Sequence, residues 1–406
     1  MIPEPVAPPE KLPLALQWLL VAAGGLIIAN LYYAQPLTGV VGRALGMSKG
    51  AVGLLQTLPL MGYCLGLLVI VPLGDLLENR RLVMVLVGLE TLCLLGVSFA
   101  CGPASYFAAA FLVGLSASAV QIIVPYATHL APSNVSGRVV ERVVSGVMLG
   151  IMLARPAASL VADVWSWRAI FRISAVLMAA LFVGLRAALP ARRPPAGLRY
   201  GALLLSLGRI FVGTEILRRR AFYHACLFGA FSVFWTAAPL WLSSSRFGLT
   251  QRGIAWVALA GVAGAIAPPF AGRIADRGLS RPFTAVAMVV AIGAVLLSTL
   301  ARDGSLVGVA PIVAAAIVLD FAVSANLVFG QRAIYALDAK QRSRINGLFM
   351  ATFFAGGALG AAASGWAYAR FGWPGVTALG VGLPFMGLGY LMTERKPAGA
   401  VSGTRR

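Results

Sequence analysis

Long apolar segments, separated by short polar ones, dominate the hydrophobic pattern of this chain. Each apolar segment is about 20 residues long, the length that an α-helix needs to cross the roughly 30 Å hydrocarbon core of a bilayer. Because lipid cannot hydrogen-bond to backbone amides, each segment must satisfy its own polar groups and is predicted to be helical. The pattern predicts twelve spans, at residues 14–36, 51–73, 82–101, 104–127, 143–163, 168–189, 221–243, 254–272, 283–301, 305–329, 344–368 and 375–393.

Composition supports the same class of protein. Hydrophobic residues make up 59% of the 406-residue chain and charged residues only 11%, whereas soluble domains carry about 25% charged residues. A soluble domain of this composition would expose large apolar patches and aggregate. We therefore predict an all-α polytopic membrane protein. The first apolar segment is too long for the core of a signal peptide, so we expect it to be retained as span one.

The net charge of +20 is distributed unevenly between the two sides of the predicted bundle. Of the 33 Lys and Arg residues, 24 fall at the termini or in loops after even-numbered spans, 7 in the other loops and 2 inside spans. The positive-inside rule therefore predicts that both termini are cytoplasmic. Anionic lipid headgroups are the expected partners of these basic residues, and the segregation argues against nucleic acid as a partner.

One basic segment, residues 190–220, interrupts the succession of spans. Pro190, Pro194 and Pro195 block a continuous helix there, and arginines alternate with apolar residues after them. We predict a cytoplasmic linker that contains an interfacial amphipathic helix. The predicted organisation is a cytoplasmic N-terminus (1–13), a six-helix half (14–189), the linker (190–220), a second six-helix half (221–393) and a cytoplasmic tail (394–406).

A cluster of charged residues follows span two and has a second copy in the other half. The first copy is VPLGDLLENRR (71–81), and the second, GRIADRGLSRP (272–282), follows span eight. Asp276 lies 201 residues after Asp75, and Gly347 lies 201 residues after Gly146 in a second pair of similar segments. Two halves of six spans each are typical of transporters.

These segments resemble the Major Facilitator Superfamily, which carries a G-x-x-x-D-R-x-G-R-R motif between spans two and three and a decayed copy between spans eight and nine. The stretches ANLYYAQPL (29–37) and GYCLGLLVIVPLGDLLENRRL (62–82) resemble its bacterial efflux-permease branch, which is arabinose-efflux or drug–proton antiporter-like. The first copy of the motif departs from the family at Val71, Leu76 and Glu78. The resemblance implies twelve helices in two halves, in the cytoplasmic membrane of a bacterium.

The resemblance also implies a conformational latch on the cytoplasmic side. In the family, the motif aspartate joins the two halves and releases them when the protein opens inward. The corresponding residues here are Asp75, Arg80, Arg81, Asp276 and Arg277. We expect Asp75 to accept hydrogen bonds from the loop arginines and to face the positive N-terminus of span eleven. Alternatively, Arg80 and Arg81 serve only to anchor the topology.

Three ionisable residues stand out within the predicted spans, where a charge without a partner is costly and therefore indicates function. They are Glu90 in span three, Arg155 in span five and Asp320 in span ten. The resemblance places span ten at the central cavity, so we predict that Asp320 couples transport to protons, with Arg155 as its cation. A permanent structural ion pair is the alternative for Asp320, and a partnered structural acid is the alternative for Glu90. Span four lacks the arginine that many proton-coupled relatives carry.

The family's cavity-lining spans one, four, seven and ten carry polar and aromatic residues that could bind a substrate. An aromatic cavity with few polar groups suits amphiphilic small molecules. Tyr32 and Tyr33 have the alternative of lying in the aromatic belt at the membrane surface. The candidate substrate-binding residues are Asn30, Tyr33, Gln121, Tyr126, Phe231, Trp235 and Asn326.

The predicted function is secondary active transport by alternating access, with proton-coupled efflux of a small organic solute. Uptake of a metabolite or siderophore by the same fold is one alternative, and a non-transporting sensor or regulator is the other. The absence of a G-x-x-x-x-G-K-[ST] motif disfavours a nucleotide-driven pump. The scattered Cys and His residues predict no metal site, no disulfide framework, no cofactor and no enzyme activity. We expect a monomer.

Overall fold

The computed structural model describes residues 13–48, 50–130, 136–192, 199–338 and 341–394. Most of the predicted termini (1–13 and 394–406) and residues 193–198 of the linker lie outside these ranges. Within them the chain is almost entirely helical. The α-helices are Leu14–Ala29, Thr38–Ala44, Leu54–Val69, Asn79–Ser98, Pro103–Ala117, Ala119–Leu130, Ser136–Val164, Trp167–Ala188, Tyr200–Gly213, Glu215–Leu242, Gln251–Gly261, Ala267–Asp276, Ser280–Ser298, Leu306–Tyr335 and Arg342–Met392, and the 3-10 helices are Ala51–Gly53, Val71–Asp75 and Val262–Ile266.

Ten helical stretches of the described chain are long and apolar enough to cross a membrane. One of them, Arg342–Met392, comprises two helices that meet at Gly372, where φ is 64° and ψ is −152°. Only glycine adopts this conformation readily, so Gly372 separates spans eleven and twelve. The shorter apolar helix Leu14–Ala29 supplies span one. The described residues therefore contain twelve spans, and the prediction of an all-α polytopic fold is confirmed.

Span one is shorter as a helix than predicted, since it ends at Ala29 rather than at residue 36. The next residues form tight turns, with bonds from Leu31 N to Ile28 O and from Tyr32 N to Ala29 O. Pro36 lacks an amide hydrogen and disfavours a helical residue before it. The side chain of Gln56 from span two donates to the carbonyl of Leu31 at 3.1 Å, which satisfies one backbone group that the unwinding leaves free.

The linker helix Tyr200–Gly213 packs against the bundle through one face. Tyr200 Oη donates to the carbonyl of Val69 at 2.8 Å, and Leu203 and Leu207 are buried whereas Leu205 is 64% exposed. The helix is thus amphipathic, as predicted for the linker, and its buried apolar face packs on the protein itself. Span seven begins directly after it at Glu215, six residues before its predicted start, because an acidic residue stabilises the first turn of a helix.

Close glycine contacts give the two halves the same internal packing. A Cβ added at Gly150 of span five would lie 2.1 Å from the carbonyl oxygen of Gly25 in span one, and one added at Gly360 of span eleven would lie 2.3 Å from that of Gly229 in span seven. Spans one and five therefore correspond to spans seven and eleven. The 201-residue spacing does not give the equivalent glycines, because Gly347 faces open space.

The two halves meet closely at one side of the bundle and separate at the other. We call the side of Asp75, Arg192 and Arg344 the basic side, and the other the opposite side. Near the opposite side, Gly53 of span two packs so tightly on span eleven that a Cβ there would lie 2.5 Å from the carbonyl oxygen of Ala361. At the basic side, the same two spans line a cavity.

Candidate substrate and coupling site

The structure brings together two of the three ionisable residues that the sequence analysis singled out within spans. Arg155 Nη1 lies 3.5 Å from Asp320 Oδ2, and the indole Nε1 of Trp235 donates to Asp320 Oδ1 at 2.8 Å. Arg155 is 5% and Asp320 8% exposed. The three residues come from spans five, ten and seven, so this buried contact joins the two halves of the protein.

The guanidinium of Arg155 is enclosed by aromatic rings. Its Cζ lies 4.4 Å from the ring centroid of Trp235 and 5.0 Å from that of Phe231, within the range of cation–π attraction. Its Nε is buried and has no hydrogen-bond partner among the described residues. The predicted substrate residues Phe231 and Trp235 therefore surround the predicted coupling pair.

Span eight creates the space for Asp320 by means of two glycines. A Cβ at Gly264 would lie 2.7 Å from both Asp320 Cβ and the carbonyl oxygen of Ile317, and one at Gly261 would lie 2.9 Å from the Trp235 ring. Gly264 belongs to the 3-10 stretch Val262–Ile266, a local tightening that often marks a functional hinge in a helix. No charge or motif in the sequence indicated this role.

Glu90 lies in a different environment, within the N-terminal half. Asn30 Nδ2 donates to Glu90 Oε1 at 2.7 Å, and Ser174 Oγ donates to Asn30 Oδ1 at 2.6 Å. These residues belong to spans one, three and six. Glu90 Oε2 is buried without a partner among the described residues. Asn30, predicted to bind substrate, thus bonds to a structural network, and Tyr33 packs edge-on against Phe171 at 6.3 Å.

Two other candidate residues lie at the cavity on the basic side. Gln121 Nε2 donates to Tyr63 Oη at 3.0 Å, and Tyr126 Oη donates to the carbonyl of Pro190. The cavity measures about 170 Å³, less than the roughly 300–1,000 Å³ of typical ligand sites. A solute must therefore widen it. The polar lining includes Asp75, Asn79, Gln121, Tyr126, Arg192, Ser343 and Arg344.

Arg192 connects the linker to the mouth of this cavity. It donates to Asn79 Oδ1 at 3.0 Å, and Asn79 Nδ2 donates to the carbonyl of Gly74 at 2.9 Å. Partial burial lowers the pKa of the Arg192 guanidinium, whereas electrostatic interactions with Tyr126 and Asp75 raise it. The mouth therefore carries two arginines and one aspartate on its lining.

The predicted latch residues have other partners than expected. Arg80 donates to the carbonyl of Arg186, and Arg81 pairs with Glu78 at 3.1 Å. Among the described residues no hydrogen bond joins Asp75 to either arginine, which corrects that expectation for this conformation. Asp75 does face span eleven, since Ser343 and Arg344 from the first turn of that span line the same cavity.

The second copy of the motif contacts its own half. Asp276 pairs with Arg332 of span ten at 2.8 Å, and both side chains are more than half exposed. Arg277 is exposed to solvent. Neither residue joins the C-terminal half to the N-terminal half among the described contacts. The two copies are therefore not equivalent in this conformation.

On the opposite side, the halves are joined by polar contacts. Arg252 Nε of span eight pairs with Asp163 Oδ2 of span five at 3.2 Å, and the amide of Arg252 donates to Asp163 Oδ1 at 3.1 Å. Thr38 Oγ1 also approaches the carbonyl oxygen of Thr236 at 3.4 Å. The described structure is thus closed on the opposite side and open, by a small cavity, on the basic side.

Some residues of the site could not be found by searching for charges. Tyr32 and Tyr63 are almost fully buried, which excludes the membrane-surface alternative for Tyr32; Tyr33 is also buried. Asn326 bonds to the ring nitrogen Nδ1 of His224 at 3.0 Å, so it too is held within one half. Among the described residues, no group of three or more His, Cys, Asp or Glu could hold a metal ion.

This architecture defines a polytopic transport protein with a charged contact between two similar halves. The sequence profile of the Major Facilitator Superfamily matches residues 18–334 and 222–406, and the chain belongs to this family. It is 34% identical over 381 residues to "Uncharacterized transporter YgaY" of Escherichia coli O157:H7, covering 94% of this chain and 96% of the relative. It is 30% identical over 374 residues to "Probable transporter SCO4007" of Streptomyces coelicolor, covering 91% and 85%.

Solved structures show the same fold. A bacterial homologue of the human lysosomal transporter Spinster, in an inward-facing and occupied conformation, superposes with a TM-score of 0.75 at 12% identity. The match covers 93% of this chain and 95% of that chain. Family and relatives together establish a multi-pass membrane protein of a transporter family, and they support a transport protein rather than an enzyme.

Proposed function

We propose that this protein is a secondary active transporter that exports a small organic solute in exchange for protons by alternating access. It would lie in the bacterial cytoplasmic membrane with both termini and the basic side in the cytoplasm. The observation that carries the proposal is the buried contact of Arg155 with Asp320, because it joins the two halves that alternating access must move relative to each other.

Movement of the halves gives this ion pair its coupling role. When the halves separate around the site, Asp320 loses its cation, and a carboxylate without a partner in a dry interior is very costly. Such a group binds a proton instead. Proton binding would then favour one conformation and the Arg155 contact the other, so the proton gradient can drive the cycle. Glu90 offers no comparable change, since its partners lie in the same half.

The position of the cavity supports entry of the solute from the basic side. Its lining comes from spans two, four and eleven and from the linker helix, whereas the opposite side is closed by the Arg252–Asp163 pair. If the basic side is cytoplasmic, the solute enters from the cytoplasm in this conformation. Uptake and sensing use the same fold, so the direction is decided by the experiment below.

The test begins by finding a solute and then removes the proposed coupling charge. A deletion strain and its parent are compared across toxic compounds and metabolites, and the solute that differs is used in everted membrane vesicles energised by respiration. Wild-type protein should accumulate it, and nigericin, which collapses the pH gradient, should prevent accumulation. Asp320→Asn should abolish gradient-driven accumulation but keep solute exchange across the membrane without a gradient.

A matched control removes the same charge elsewhere. Asp303 lies exposed in the loop before span ten, where its Oδ1 accepts from the amide of Ser305 at 2.8 Å, so Asp303→Asn should accumulate solute as the wild type does. Gradient-driven accumulation by Asp320→Asn would refute the coupling role. Accumulation only in right-side-out vesicles would indicate uptake. If the deletion strain responds differently to a solute but the protein does not transport that solute in either kind of vesicle, the protein is a sensor.

We further propose that Asp75 closes on the first turn of span eleven when the cavity shuts. Asp75 and Arg344 line the cavity from its two sides, and a charge-assisted contact between them is worth about 1.5–3 kcal/mol. Removing this contact should destabilise the conformation in which the cavity is closed, and the transport cycle should then turn over about tenfold more slowly. We expect this for Asp75→Asn and for Arg344→Gln, with no further loss in the double variant, measured as initial transport rate at equal protein level.

Asp276→Asn serves as the comparison for the latch. Its pair with Arg332 is exposed and lies within one half, so its loss costs less than about 1 kcal/mol. We expect a clearly smaller effect on turnover than that of Asp75→Asn. Equal effects of the two substitutions, or independent effects of Asp75→Asn and Arg344→Gln, would contradict a latch between Asp75 and span eleven.

A further inference from the structure

We infer that the solute carries an oxyanion, such as a carboxylate, sulfonate or phosphate group, and that Arg155 binds this group where the two halves meet. The inference rests on the proposed transport function, and it adds the chemical class of the solute. It is carried by the hydrogen-bond geometry of the central contact and by the charges at the mouth of the cavity.

Arg155 has more hydrogen-bond donors than its surroundings use. A guanidinium has five N–H donors and no acceptor, and among the described residues Arg155 meets one acceptor, Asp320 Oδ2 at 3.5 Å. Its Nε is buried without a partner among the described residues. A buried donor left without an acceptor is costly. The contact as it stands therefore has room for a further acceptor.

Both carboxylate oxygens of Asp320 already have a partner. Its Oδ1 accepts the indole N–H of Trp235 at 2.8 Å, and its Oδ2 faces Arg155. A cationic solute would have to displace these groups, whereas an oxyanion would fill donors of Arg155 that are now unused. Oxyanions such as carboxylate and phosphate bind guanidinium groups through two parallel hydrogen bonds. The unequal use of the two side chains thus favours an anion over a cation.

The surroundings of Arg155 suit an anion attached to an aromatic or other flat apolar body. Phe231 and Trp235 contact the guanidinium, and the ring of Phe228 stacks on that of Phe231 at 5.1 Å. An oxyanion bound to Arg155 would therefore place the rest of the solute against aromatic side chains.

The mouth of the cavity has the charge that an anion requires. Arg192 and Arg344 line it together with a single acidic residue, Asp75. A cleft with an excess of one charge raises the local concentration of solutes of the opposite charge. This feature is independent of the geometry at Arg155, since it belongs to the linker and to span eleven, and both observations point to the same class of solute.

The test is an equilibrium binding measurement with three probes that share one ring system. They are 1-naphthalenesulfonate, the neutral 1-naphthalenesulfonamide and the cation 1-naphthylmethylammonium, each titrated by calorimetry into the purified full chain in lipid nanodiscs at fixed pH. We expect the sulfonate to bind about tenfold or more tightly than the sulfonamide, the equivalent of one charge-assisted hydrogen bond, and the ammonium to bind most weakly.

Substitutions at the central contact give opposite expectations for an anion site and a cation site. Arg155→Gln should weaken sulfonate binding about tenfold or more, and Asp320→Asn should keep or strengthen it, because the competing carboxylate is gone. If Arg155→Gln does not fold, Arg155→Gln/Asp320→Asn leaves no unpaired buried charge and should show the same loss. Arg370→Gln, which removes an exposed arginine at the end of span eleven, is the charge-matched control and should bind like the wild type.

Three results would overturn the inference: tightest binding of the ammonium probe, loss of binding in Asp320→Asn, or sulfonate binding that neither Arg155 variant weakens. Absence of binding by all three probes to the wild type would overturn it as well. The measurement needs no transport and no gradient. Sulfonate binding at Arg155 together with gradient-driven accumulation by Asp320→Asn would therefore refute the coupling proposal and leave the anion site intact.

Discussion

The protein buries two carboxyl groups within its spans, and they differ in what surrounds them. Asp320 meets a guanidinium and an indole from two other spans, across the boundary between the halves. Glu90 is fully buried within the N-terminal half, where Asn30 donates the one hydrogen bond it receives among the described residues. The same functional group is therefore part of a movable contact in one place and of a fixed network in the other.

In the proposed mechanism, this difference separates a coupling residue from a structural one. Rocking of two rigid halves changes the distance between groups on different halves but leaves contacts within a half unchanged. Asp320 would gain and lose its cation during the cycle, whereas Glu90 would keep Asn30 and Ser174 throughout. Burial alone, which both carboxyls share, does not distinguish the two roles.

The largest effect is expected from removing the cation of the movable contact. Arg155→Met leaves Asp320 buried with only the Trp235 indole, and breaking one partner of a buried ion pair costs about 3–5 kcal/mol. The double variant Arg155→Met/Asp320→Asn should recover most of this loss, because it leaves no unpaired buried charge and the amide oxygen can still accept the hydrogen bond from the Trp235 indole. Unfolding of each variant in mixed micelles measures the difference. A double variant no more stable than Arg155→Met would show that the two charges do not stabilise each other.

An intermediate effect is expected from crowding the contact without changing its charges. A Cβ at Gly264 would meet both the Asp320 side chain and the backbone at Ile317 within 2.7 Å, so Gly264→Ala should cost about 1–3 kcal/mol and reduce transport. Gly272 of the same span has no atom within 4 Å of an added Cβ, and Gly272→Ala is the control. Gly88, in the turn of span three before Glu90, meets only ordinary contacts at 3.4 Å. Equal losses of stability and transport in Gly264→Ala and Gly88→Ala would show that the packing around Asp320 is no tighter than the packing around Glu90.

The fold was largely predictable from the sequence, because a segment that crosses the lipid must be apolar and must form all its backbone hydrogen bonds within itself. Every span had to be apolar and helical, and the predicted centres of the spans agree with the structure. The ends were less predictable where local chemistry decides: the helix of span one stops at Ala29 before Pro36, and span seven starts at Glu215 beside the linker helix.

The candidate site was predictable only where it carries charge. Arg155 and Asp320 stood out because ionised groups are rare within spans, and their meeting at 3.5 Å follows from the fold. Ser174 and Tyr63 are ordinary residues in sequence, and only the packing of spans shows that they partner Asn30 and Gln121. The tightness at Gly264 depends on the distance between two backbones, which no single-residue pattern encodes.

The smallest effect is expected from Glu90→Gln, and it tests the fixed side of the comparison. Glutamine has nearly the same shape, and its carbonyl oxygen can accept the hydrogen bond from Asn30, so the main cost is one additional buried amide donor near the site of the unpartnered Oε2, about 1 kcal/mol. In the proposed cycle, Asn30 and Ser174 move together with Glu90, so the surroundings of Glu90 do not change. The protonation state of Glu90 therefore does not depend on the conformation. Gradient-driven accumulation in everted vesicles should therefore remain close to wild type in Glu90→Gln and be lost in Asp320→Asn. Loss of accumulation in Glu90→Gln at an equal level of folded protein would place a coupling acid inside the N-terminal half, and the boundary between the halves would no longer distinguish the two carboxyls.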